Sequence, residues 1–216
     1  MLKKILTLPR DIMDEMLARG EPLAVLKGKT WALVSISTEK EHLLTDSALE
    51  KLRRLGCRQA IRLVFWDSTP SVAKTQEMYG HKPVLFSKEQ AREVIEFLDG
   101  VKESDVEIFV AQCEAGISRS GAVGSFACDY LGFDYPTFAS DNSDIMPNPH
   151  VERMLRRAGG MTPIGYVEDV EGQESGEKRG QAGALAKDGT RSGIGRSYEG
   201  DDLKVVLSCW NQKSKF

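Results

Sequence analysis

Asp105-Val106-Glu107-Ile108-Phe109-Val110-Ala111-Gln112 runs without a break into Cys113-Glu114-Ala115-Gly116-Ile117-Ser118-Arg119-Ser120, and the fold is decided there. The apolar run bounded by polar residues reads as a central strand covered on both faces, the pattern of a parallel sheet. A loop of small residues follows. Arg119–Leu131 then reads as a helix that packs closely through Gly121, Ala122, Gly124 and Ala127. Strand, tight loop and helix in that order imply an α/β architecture: a central twisted, mostly parallel sheet flanked by helices.

The flanking sequence supplies the other layers. Lys3–Leu8, Trp31–Ser37 and Arg58–Trp66 read as strands from their β-branched and apolar content. Asp11–Ala18, Ser47–Leu55 and a final segment from Pro149 to about Ala158 read as helices. Ser87, with Gln90 three residues on, is a capping-box start for another; Ala91, Val94, Ile95 and Leu98 share one of its faces. Asp67-Ser68-Thr69-Pro70 is a turn. Ser71–Val84 shows no clean period and reads as a long loop with one helical turn. Residues 1–162 are expected to form one domain. Beyond them lies a Gly-rich, charged segment, 163–216, poor in large apolar residues and expected to be a flexible tail, with Leu203–Leu207 as a terminal strand.

Composition narrows the function. The net charge of −3 gives no general basic field for nucleic acid or an anionic membrane. No stretch is long enough to span a bilayer and no secretory leader is legible, so the expected compartment is the cytoplasm. Four scattered cysteines and three dispersed histidines lack metal-site spacing, and no structural metal site is expected.

The loop itself carries chemistry. Backbone N–H groups from Glu114 to Arg119 can curl around one point, and the next helix adds its unpaired N–H groups and the positive end of its dipole. Such a nest binds a tetrahedral oxyanion. Gly116 permits the required backbone conformation. Arg119 offers a planar fork matching two phosphate oxygens. The same field favours the thiolate of Cys113, which beneath a bound phosphate is placed for in-line attack, and Ser120 can hydrogen-bond the sulfur as it departs.

Cys113-x5-Arg119-Ser120, in the setting Val110 to Ser120, resembles the signature loop of the protein tyrosine phosphatase superfamily. Gly116 and Ser118-Arg119-Ser120 are most similar to its small dual-specificity branch, and Pro147-Asn148-Pro149 to a bacterial subgroup. The order of elements agrees over about residues 30–160. The resemblance implies phosphomonoester hydrolysis without metal or cofactor, with Cys113 as nucleophile and Arg119 as phosphate clamp. The loop residues Glu114, Ala115, Gly116, Ile117 and Ser118 would bind the phosphate. It also implies a general acid on an upstream loop, for which Asp67 in Phe65-Trp66-Asp67 is the candidate. Phosphotyrosine, phosphoserine or phosphothreonine in a protein, or a small phosphomonoester, is the expected partner. The family places His before the nucleophile; here Gln112 stands there, able to donate a hydrogen bond but not to carry charge. That departure supports an alternative, a pseudophosphatase module that binds phosphate without turnover. Asn148 is read chiefly as the cap of the last helix, Ser118 as a small filler whose N–H matters more than its hydroxyl. Cys128 is read as a core residue rather than a redox partner of Cys113.

Overall fold

The computed structural model describes residues 2–162; the expected tail and the strand at Leu203–Leu207 lie outside them. Four strands, β1 (Lys4–Pro9), β2 (Trp31–Ser37), β3 (Cys57–Val64) and β4 (Ile108–Cys113), form one sheet in the order β1-β4-β2-β3. Every pairing is parallel. The architecture is therefore α/β, a parallel sheet flanked by helices. β2 and β4 are the central strands and are buried along their whole length, as the continuous apolar runs predict.

Alternation along the strands builds two cores. Ile5, Ala32, Val34, Ile36, Phe109 and Ala111 face one side, where they meet α4 (Lys88–Lys102), α5 (Arg119–Tyr130), α6 (Tyr135–Asp141) and α7 (Pro149–Ala158). Leu6, Trp31, Leu33, Ile108 and Val110 face the other, against Met13 and Met16 of α1 (Arg10–Arg19) and Leu52 of α2 (Asp46–Arg54). α5 approaches β1 closely at Gly124, where a Cβ would stand 3.1 Å from Thr7 Cγ2. The α4 capping box forms as expected, Ser87 and Gln90 each accepting from the other's backbone N–H.

The edge strand β1 is sealed by a side chain. Asn142 Nδ2 donates to Ile5 O at 2.9 Å, and its Oδ1 accepts from Thr7 N–H at 2.7 Å and from the Thr7 hydroxyl. One amide thus does what the next strand's peptide would do, and the edge is closed to further pairing there.

Three sequence expectations change. Ser71–Val84 is not mainly loop: α3 spans Pro70–Met78, with Thr69 Oγ1 accepting from Val72 N–H and Pro70 at its first turn. Its exposed, weakly patterned faces hide the period, but its start signal was present. α6 was not foreseen; Asp134 caps it through Thr137 N–H. Finally, β3 ends at Val64 rather than Trp66, because the Trp66 N–H turns away to bond Val84 O at 2.7 Å. That bond ties the segment before α4 to the base of the loop carrying Asp67.

Candidate active site

Gln112 and Cys113 end β4 at the carboxyl edge of the sheet, and the chain must cross to α5 in five residues. Gly116 makes the crossing possible. Its φ is +74°, and a Cβ there would fall 2.6 Å from Pro9 N at the end of β1. Conformation and space both require glycine. Ala122 N–H is the first to bond back into the loop, to Ser118 O at 2.9 Å. Among the described residues, the N–H groups of Ala115 to Gly121 have no backbone acceptor, so the loop and the first turn of α5 form a ring of free donors.

Cys113 is buried, and its Sγ shares a hydrogen bond with Ser120 Oγ at 3.1 Å. Arg119 is also buried. One guanidinium nitrogen, Nη1, donates to Thr38 Oγ1 and to Phe65 O, both at 3.0 Å. These bonds fix the plane of the group from the ends of β2 and β3. Its buried Nε has no hydrogen-bond partner among the described residues. A buried cation braced by neutral acceptors on one edge, with a donor unused on the other, suits a planar oxyanion fork. A desolvated donor left unmatched costs about 1–3 kcal/mol, a cost that an anion offsets.

The loop is held from below and from the side. Gln112 is buried; its Oε1 accepts from Ser35 Oγ and its Nε2 donates to Cys113 O, both at 2.8 Å. The amide thus orients the peptide that follows the cysteine. Glu114, the exposed first residue of the loop, pairs with Arg10 Nε at 3.0 Å, while Arg10 Nη1 donates to His42 O and Nη2 to Ser37 Oγ. Ala115 and Ile117 are exposed at the rim.

Asp67 is exposed and stands against this loop. Its Oδ1 accepts from Ser118 Oγ and from Asn148 Nδ2, each at 2.8 Å. The structure therefore brings together the residues the sequence singled out, and corrects two of them. The Ser118 hydroxyl is engaged rather than idle, and Asn148 contacts Asp67 as well as capping α7 through His150 N–H and Val151 N–H. Arg10, Thr38 and Ser35 had no sequence signal of their own; only the meeting of strand ends reveals them. Cys128 is core, donating to Phe133 O at 3.4 Å. Burial, with Asp129 and Asp134 nearby, pushes its thiol up to about 11. Burial likewise pushes Cys57 up to about 12.

No family model matches the chain, and no curated protein matches it in sequence. Among solved structures, that of PTPMT1 in complex with PI(5)P aligns over 73% of this chain and 90% of that one, at 12% identity and a TM-score of 0.39. At that score the likeness adds nothing to the site, which stands on its own geometry. Among the described residues, no helix is long and apolar enough to cross a membrane.

Proposed function

We propose that the chain is a cysteine-dependent phosphatase of the dual-specificity type, hydrolysing phosphomonoesters through Cys113. The observations that support this reading are the run of N–H groups without backbone acceptors from Ala115 to Gly121, the buried Arg119 with an unpaired Nε, and the hydrogen bond between Cys113 Sγ and Ser120 Oγ. In the first step the Cys113 thiolate attacks phosphorus and the bond to the ester oxygen breaks. Asp67 gives its proton to the departing oxygen, a contribution of about 10²–10⁴ in rate. Charge on the equatorial oxygens is met by the loop amides and the Arg119 fork. In the second step water attacks the phosphocysteine and returns a proton to Asp67. The sulfur–phosphorus bond breaks, with the Ser120 hydroxyl donating to the leaving thiolate, and inorganic phosphate departs. Protein phosphotyrosine, phosphoserine and phosphothreonine are the proposed substrates.

The test is phosphate release from p-nitrophenyl phosphate and from phosphopeptides. Turnover by the wild type that vanishes in Cys113→Ser is the expected result; turnover that survives that change overturns it. One observation favours the second reading, a binding module. Both ends of the Gln112 amide are engaged, by Ser35 and by Cys113 O, and it brings no charge to the sulfur. Phosphopeptide binding lost in Arg119→Ala, without turnover in the wild type, would decide for that module.

A further inference from the structure

Asp67, Ser118 and Asn148 come from three places in the fold: the loop after β3, the N-cap of α5 and the N-cap of α7. Three hydrogen bonds join them into a closed triangle. The Ser118 hydroxyl and the Asn148 amide both donate to Asp67 Oδ1 at 2.8 Å, and Asn148 N–H donates to Ser118 O at 3.1 Å. The orientation of the Asn148 amide is not arbitrary. Its Oδ1 accepts from His150 N–H at 3.0 Å and Val151 N–H at 3.2 Å, the cap of α7. A cap needs an oxygen there, so Nδ2 must face Asp67. Asn148 is itself buried, so this donor is fixed by packing.

An exposed carboxylate at a loop tip ordinarily samples several rotamers. Here both donors converge on one oxygen, leaving Oδ2 as the atom that can carry a proton. Its height above the phosphate loop is set by Ser118, the residue before Arg119. Serine, threonine or aspartate could cap α7 equally well. Asparagine adds to the cap a donor for Asp67.

We propose that Asn148 is a positioning residue for the proton donor, using the cap of α7 to clamp the Asp67 loop onto the phosphate loop. This rests on the reading of Asp67 as general acid. It makes the start of α7 part of the proton-transfer apparatus.

Two substrates separate positioning from folding. The leaving group of p-nitrophenyl phosphate is a weak base and needs little protonation; that of phenyl phosphate needs it fully. Asn148→Ser and Asn148→Thr both keep a capping oxygen and lose the amide donor, so melting temperature is expected to stay close to the wild-type value. Turnover of phenyl phosphate is expected to fall roughly 10- to 100-fold, the usual loss when a group that orients a reacting residue is removed. Turnover of p-nitrophenyl phosphate should fall much less. In an Asp67→Asn background the Asn148→Ser change should cost nothing further, because the two act as one unit. Equal losses on both substrates, or losses that multiply in the double variant, would overturn the clamp while leaving the phosphatase reading intact. If the wild type turns over neither ester, the phosphatase reading fails by itself. The clamp is then judged by hydrogen exchange at Trp66 to Thr69: faster exchange in Asn148→Ser supports it, and unchanged exchange sinks it.

Discussion

Two buried cysteines stand at opposite ends of α5. Cys113 lies just before the N-terminus of the helix, and Cys128 sits in its last turn, facing Phe133 O. Their burial is nearly the same, 2% and 0% exposed, so burial alone does not separate the proposed nucleophile from a core thiol. Direction does. The sulfur of Cys113 shares a hydrogen bond with the Ser120 hydroxyl in the first turn of α5, the end where the helix N–H groups lack backbone acceptors. Cys128 lies at the carbonyl end of the dipole beside Asp129 and Asp134, which add to burial in pushing its thiol up to about 11. The nine helical steps from Arg119 to Cys128 rise about 13 Å, too far for a disulfide across the helix.

The largest expected effect breaks this contrast outright. Cys113→Ser should remove measurable phosphate release, whereas Cys128→Ser should leave kcat within about twofold, as a change away from the reacting atoms does. The steady-state rates of the two variants check it. Next comes Arg119→Lys. It keeps the charge and loses the fork, and kcat/KM should fall by on the order of 10²–10³, the cost of one transition-state donor. Measured with p-nitrophenyl phosphate, a loss under threefold would show that the fork is unnecessary. Gly116→Ala is smaller in rate and visible in stability. With φ at +74° and Pro9 N 2.6 Å from the new Cβ, unfolding free energy should drop by at least about 1–3 kcal/mol. Urea denaturation reads that loss directly.

The smallest effect concerns a third cysteine. Burial raises Cys57 from its ordinary value of 9.0 to about 12. A raised thiol value means that folding favours the protonated form. Its contribution is complete below pH 9, is lost as pH climbs, and is gone above about 12. In that window stability should fall by up to about 1.4 kcal/mol per pH unit from this group. Thermal melts between pH 8 and roughly 10.5 check it; Cys57→Ala should flatten the slope.

How legible this was varies by distance along the chain. The strand, loop and helix around Cys113 were readable because adjacent residues carry them: an apolar run, a glycine where φ must be positive, and an arginine at fixed spacing. Asp67 was readable as a turn residue after a strand. The contacts that fix these groups were not. Thr38, Phe65 O and Arg10 reach the loop from other strand ends, and nothing local in their sequence announces it. Asn148 shows the limit best. As a cap it follows from Pro149 alone, but its second bond, to Asp67, joins positions 81 residues apart. α3 was missed for a different reason: its exposed faces bury little, so the apolar period on which the reading relied is weak there.

The bracing of Arg119 has a final consequence. Its acceptors are a hydroxyl and a carbonyl, both neutral, so they do not neutralise the charge of this buried cation. An oxyanion in the nest would therefore act as a folding ligand. Raising phosphate at constant ionic strength should stabilise the fold with the logarithm of its concentration, by about 2.7 kcal/mol at a hundredfold excess over Kd, and lift the melting temperature accordingly. In Arg119→Ala the melt should be indifferent to phosphate. Storage buffer would thus set how firmly this molecule holds itself together.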